Sequence, residues 1–204
     1  MGFDFESFAE DYLSDLRRTL SEVSKPQIEA LWDELTAVAE RGGSIHMIGN
    51  GGSAATPSHS AGDWSKELGI PTISHTDNIS SLTAWANDTD YANVFAGQLS
   101  TFAKSGDLVI AYSGSGNSTN VLNGITAAKK AGCRTAAVTG NYNGGAGGEL
   151  AGMVDVAIVV PSASMERIED MQLIINHIVK DCLLYTSDAA DEGLGVDLGG
   201  RRII

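Results

Sequence analysis

The sequence predicts an α/β protein: a five-stranded parallel sheet in a three-layer αβα sandwich, preceded by two helices. Three observations carry this reading. Five short runs rich in Val and Ile alternate with helix-length segments between residues 44 and 181, the pattern of parallel strands whose crossovers cover both faces of a sheet. Glycine is abundant, with 24 residues, while aromatics make up only 6%, which suits tight loops at strand ends. The chain has 204 residues, 43% hydrophobic and 19% charged, the balance of one ordinary globular domain. No internal repeat or linker divides it.

Residues 4–22 and 26–41 read as the two leading helices. Phe5, Phe8, Ala9, Tyr12, Leu13 and Leu16 recur at helical spacing. Pro26 suits the first turn of the second helix, and Arg41-Gly42-Gly43 ends it. Trp32 on that helix reads as a core or subunit-contact residue. Strand and helix then alternate. Residues 44–48 form a strand, 55–68 a helix and 72–75 a short strand. Residues 80–86 and 91–103 are helices, 107–112 a strand, 118–131 a helix and 135–139 a strand. A short helix at 149–153, a strand at 156–160 and a long helix at 164–181 complete the pattern. Right-handed crossovers make this a doubly wound sheet. Ligands of such sheets sit at the carboxyl ends of the strands.

Residues 182–204, CLLYTSDAADEGLGVDLGGRRII, show no helical periodicity, strand alternation or cap. They resemble translated sequencing-library adapter, with 182–192 matching one end, 196–204 the other, and 193–195 the room for a short index. Such segments are excluded from fold reasoning. The expectation is a single native domain over 1–181, with the two leading helices in 1–42 and the native C-terminus missing. Without the tail the net charge moves from −13 to −11, and Cys133 is the remaining cysteine.

The acidic balance argues against non-specific polyanion binding, since phosphate backbones need Lys and Arg. The expectation is no direct nucleic-acid partner. No run of about 18 apolar residues exists, so no membrane span is expected. The first residues, MGFDFESFAEDY, lack the basic-then-apolar pattern of a secretory signal. Two cysteines make no disulfide framework and suit a reducing cytoplasm. Cys133, at the start of a strand, reads as buried rather than reactive.

Two strand-end loops could hold phosphate. The first strand runs into Gly49-Asn50-Gly51-Gly52-Ser53, where glycines admit a ligand close to backbone N–H groups and a helix N-terminus follows. A dinucleotide GxGxxG fingerprint is absent. The third strand runs into Ser113-Gly114-Ser115-Gly116-Asn117-Ser118. Capping accounts for one hydroxyl per loop, but not for Ser113, Ser115 and Ser118 together. Their neutral donors suit a phosphomonoester rather than a polyphosphate. The glycine-rich run 143–148 has no hydroxyl cluster and reads as a turn.

Among four histidines, His46 lies inside a strand and reads as core, and His75 at a strand end is open to either reading. His59 and Asp63 are i and i+4 on the helix after the first loop, so they share a face. Glu169 and His177 are i and i+8 on the last helix. The two pairs could meet over one pocket.

GNGGSA at 49–54, SGSGNS at 113–118 and ERIEDMQLIINHI at 166–178 resemble the sugar isomerase (SIS) family, in particular its phosphoheptose isomerase branch. The resemblance covers residues 1–181. It implies a flavodoxin-like sandwich, a homotetramer with active sites between subunits, and a small phosphorylated sugar as substrate. The implied activity is aldose–ketose isomerisation of sedoheptulose 7-phosphate through an enediol. It implies Zn²⁺, or another divalent ion, at His59, Asp63, Glu169 and His177. Asp63 is implied as base with His177 as its acid–base partner, and Glu169 as the rival base. Asn50, Gly51, Gly52, Ser53, Asp88, Ser113, Ser115, Ser118 and Glu166 are implied in substrate contact. The sequence departs from the family at several places. Asp63 and Glu169 replace Glu and Gln, Gly114 stands where Thr is common, and Glu67 stands where Arg is common, with Lys66 adjacent. The alternatives are a non-catalytic SIS protein, such as a replication-initiator-associating one, and an enzyme for another sugar phosphate.

Overall fold

The computed structural model describes residues 3–193; the end of the adapter-like stretch, 194–204, lies outside them. Helix α1 (Phe5–Glu22) opens on Asp4, whose side chain accepts a hydrogen bond from the Ser7 N–H. It buries only Thr19, and Phe5, Phe8 and Leu13 stand exposed. Helix α2 (Lys25–Glu40) buries a stripe of Ile28, Leu31, Leu35 and Val38. Then follow β1 (Ile45–Gly49), α3 (Gly52–Glu67), β2 (Thr72–Ser74), α4 (Ile79–Asp88), α5 (Val94–Phe102) and β3 (Leu108–Ser113). Next come α6 (Thr119–Ala131), β4 (Arg134–Gly140), α7 (Gly148–Met153), β5 (Val156–Val160) and α8 (Met165–Gly193).

The sheet order is β2-β1-β3-β4-β5 and every pairing is parallel. Strand side chains alternate between faces. In β3, Leu108, Ile110 and Tyr112 enter the core under α2, α3 and α8, while Val109 and Ala111 enter the core under α5, α6 and α7. Both faces of the sheet are thus covered, as a parallel sheet requires. The chain leaves β1 outward to β2 and later returns to the other side of β1 as β3. That reversal leaves a crevice between the carboxyl ends of β1 and β3.

Two elements differ from the sequence expectation. Helix α3 starts at Gly52, inside the glycine loop, because Gly51 takes a positive φ of 56° and turns the chain directly from strand to helix. Helix α8 continues past 181 to Gly193. Leu183 is buried and prolongs the stripe of Ile168, Met171, Ile175 and Val179, so the packing face continues beyond 181. Among the described residues no helix is long and apolar enough to cross a membrane. Cys133 is buried, and its thiol donates to the Lys104 carbonyl.

A buried polar chain ties the N-terminal end of β3 to β1, β2 and α5. Asp107 Oδ1 accepts the Ser44 N–H, and Oδ2 accepts the Lys104 N–H and lies 3.2 Å from His46 Nε2. His46 Nδ1 is 3.1 Å from His75 Nε2, and the Gln98 amide donates to the His75 carbonyl. Burial, and next the neighbouring His46, hold the pKa of His75 down at about 4. An unfolded histidine titrates near ~6.5. The unfolded chain therefore binds the extra proton first, and stability contributed by neutral His75 is lost as pH falls from about 6.5 towards 4. Thermal melts followed by circular dichroism are expected to give a lower Tm at pH 4.5 than at pH 7, with a smaller difference in His75→Gln. An equal difference in the variant would contradict the assignment.

Candidate active site

The crevice holds a cleft of about 240 Å³ between the two strand-end loops, closed on the far side by α8. Asn50, Gly51, Gly52 and Ser53 line it from the first loop, Ser113, Gly114, Ser115 and Ser118 from the second, and Met165 and Glu169 from α8.

The serines of the second loop make no side-chain capping bond to α6. Ser118 occupies the N-cap position of α6 without a side-chain capping bond. Ser113 Oγ accepts the Gly116 N–H and Ser115 Oγ accepts the Asn117 N–H. With their oxygens engaged by backbone donors, these hydroxyls keep their own protons to give to an anion. The run 143–148 turns, as its glycines suggest, and also buttresses this loop. The Leu150 N–H donates to the Gly116 carbonyl and the Glu149 N–H to Asn117 Oδ1. A Cβ at Gly116 would collide with the Gly147 backbone.

The first loop is pinned by a partner that sequence reasoning missed. Asn50 and Asn120 exchange side-chain amide hydrogen bonds of 2.9 and 2.8 Å, and the Tyr91 hydroxyl also donates to Asn50. An asparagine at the second position of a helix carries no sequence signal for that role. Glu169 sits on the N-terminus of α3, where it accepts the Ser53 N–H. A Cβ at Gly52 would strike its carboxylate, so glycine there is what admits the acid. Burial, followed by the nearby Glu166 and Asp170 charges, raises the Glu169 pKa, and the Ser53 hydrogen bond offsets part of that rise. Met165 fills the space beside Gly114, where a Cβ would meet its sulfur.

Further along the same two helices, His59 Nε2 lies 3.1 Å from His177 Nε2 and 3.3 Å from Asp63 Oδ2. Ligand atoms of the three residues all lie within 4.8 Å of one another. Two ligands on a tetrahedral ion with bonds of about 2 Å are separated by roughly 3.3 Å. The trio therefore has the donor set and spacing to hold a divalent cation. Glu169, two helical turns before His177, is not part of this group. Asp88 and Glu166 are exposed and do not line the cleft; Glu166 accepts from the Ser164 hydroxyl, which lowers its pKa.

What aligns these groups is a buried polar contact between the helices. Asn176 on α8 donates to Ser60 Oγ on α3 at 2.7 Å, and its carbonyl accepts the Tyr112 hydroxyl of β3 at 3.0 Å. Burial pushes the Tyr112 pKa above its ordinary value, so the hydroxyl stays a donor.

A parallel sheet with this reversal, and paired glycine- and serine-rich loops at its crevice, define a doubly wound α/β domain with an anion-suited cleft at its switch point. The SIS domain family matches residues 10–140, and the chain belongs to that family. The phosphoheptose isomerase of Sulfurimonas denitrificans is 43% identical over 142 residues, covering 67% of this chain and 71% of the relative. A probable phosphoheptose isomerase of Thermoplasma volcanium is 36% identical over 174 residues, covering 83% of this chain and 87% of the relative. The structure of a phosphoheptose isomerase from Neisseria gonorrhoeae superposes with a TM-score of 0.82 at 28% identity, covering 88% of this chain and 99% of that one.

Asn176→Ala strips the Tyr112 and Ser60 hydroxyls of this buried partner. The expected loss is about 1–3 kcal/mol in urea unfolding. A loss under about 0.5 kcal/mol, the range of an ordinary surface change, would remove Asn176 as the tie between α3 and α8.

Proposed function

We propose that this chain is a phosphoheptose isomerase that interconverts sedoheptulose 7-phosphate and D-glycero-D-manno-heptose 7-phosphate through an enediol. The observation that carries the reading is one helix pair with a neutral anion cup at one end and a His–Asp–His cluster further along. The relatives described above are named phosphoheptose isomerase and probable phosphoheptose isomerase, which supports the reading.

The hydroxyls of Ser113, Ser115 and Ser118 and the α6 N-terminus take the phosphate. Asn50, held by Asn120, presents its amide to the sugar together with the backbone of Gly51, Gly52 and Ser53. Asp63 takes the proton from the carbon beside the carbonyl, and His177 serves the oxygens as acid and base. His59, Asp63 and His177 are the residues that would hold Zn²⁺ or another divalent ion. Bound there, it would supply Lewis-acid stabilisation of the enediolate. A second reading makes Glu169 the base, because it lines the cleft beside the cup and burial raises its pKa. Asp88 and Glu166 complete the sugar contacts from a neighbouring subunit's side. A homotetramer with sites between subunits, acting in the cytoplasm and binding no nucleic acid, fits the exposed Phe5, Phe8 and Leu13 of α1 and the acidic composition. The cluster of His and carboxylate groups favours an enzyme over a non-catalytic binding protein.

Asp63→Asn and His177→Gln are each expected to lower kcat by at least about a hundredfold, the lower end for a lost acid–base group, with melting temperature little changed. Full activity in both would sink the proton-transfer assignment. Glu169→Gln separates the two readings: retained turnover supports Asp63 as base, and loss equal to that of Asp63→Asn supports Glu169. Chelation of bound metal is expected to reduce turnover and Zn²⁺ to restore it; turnover indifferent to a strong chelator would contradict the metal role.

A further inference from the structure

Helix α3 carries His59, Asp63 and Glu67 at four-residue intervals, so all three face α8. The row offers a divalent ion one imidazole and two carboxylates. A lysine from the opposite helix interrupts it. Lys180 Nζ lies 2.9 Å from Glu67 Oε2 and 3.6 Å from Asp63 Oδ2, with its side chain only 13% exposed. That Asp63 oxygen is the one 3.3 Å from His59 Nε2. Asp181 is 4.0 Å from the ammonium but largely exposed, and Lys66, next to Glu67 in sequence, is exposed. The cation that serves this acidic row therefore comes from α8.

We infer that Lys180 is a positioning residue that limits the metal site: it holds Glu67 out of the ligand set and competes with the metal for Asp63. This rests on the His59–Asp63–His177 metal reading given above. The ammonium has two carboxylates within reach, and an arriving dication must share Asp63 with it. A unit charge a few ångströms from a second cation is strongly repulsive in a partly buried setting. Glu67 anchors the ammonium on its own side and lessens that competition. Without Glu67, Lys180 has only Asp63 beside it within the row. Without Lys180, the row has two free carboxylates and one imidazole on one face.

The two partners therefore have opposite effects, which a merely structural role would not produce. The test is titration of the purified full-length protein with Co²⁺, read by its d–d absorption and by calorimetry, with no substrate present. Lys180→Met is expected to bind Co²⁺ tighter by at least about threefold, from relief of charge repulsion. Glu67→Gln is expected to bind it more weakly, and Lys180→Arg, which keeps the charge, to stay near the parent. In an Asp63→Asn background the tightening by Lys180→Met is expected to shrink, as coupled partners require. A smaller gain or a loss in Lys180→Met, or a shift in the same direction for Lys180→Met and Glu67→Gln, overturns the inference. A parent protein that binds no Co²⁺ overturns the metal reading itself. Parent binding with an unresponsive Lys180→Met overturns only the role of Lys180. Melting curves of each variant identify a fold defect, and Lys180→Arg remains informative if Lys180→Met does not fold.

Discussion

The Asn176 side chain sets where α8 lies on α3, and the candidate site depends on that placement. Ser60 and Tyr112 give it one partner on a helix and one on the sheet, both within the core. Apolar packing alone tolerates sliding by a fraction of a turn, whereas a buried amide with two directional partners does not. With that register held, α8 delivers Glu169 to the start of α3, His177 to His59, and Lys180 to Asp63 and Glu67. Three functional contacts thus follow from one buried polar tie.

The sheet supplies the second half of the arrangement. Reversal of winding between β1 and β3 brings a glycine loop and a serine loop side by side. Neither loop carries a cation; their donors are backbone N–H groups and neutral hydroxyls. Such donors bind a phosphomonoester through preorganised dipoles. The acidic composition of the chain is compatible with that mode, because the anion meets local dipoles rather than the net charge.

Much of this was legible in the sequence. The Val and Ile runs and the helical spacing between them predict all five strands, and the third strand-end loop announces its hydroxyls. The i, i+4 spacing of His59 and Asp63 already places them on one face. The helix crossings were not legible, because one helix's pattern does not encode which residue of another it meets. Nothing in the helical pattern marks Asn176 or Lys180, whose partners lie on other elements. Asn120 and the 143–148 buttress were hidden for the same reason. The continuation of α8 beyond 181 is anchored by Leu183, which is buried in line with the stripe before it. Of the expected metal set His59, Asp63, Glu169 and His177, the structure groups His59, Asp63 and His177, while Glu169 stands apart because eight residues of helix rise about 12 Å.

The most direct measurement of the central claim is an NMR time course of the Zn²⁺-loaded protein with sedoheptulose 7-phosphate. The account predicts that anomeric signals of the aldose 7-phosphate grow until a ketose–aldose equilibrium is reached. A folded, metal-loaded protein that binds the ketose phosphate and leaves its spectrum unchanged would contradict it.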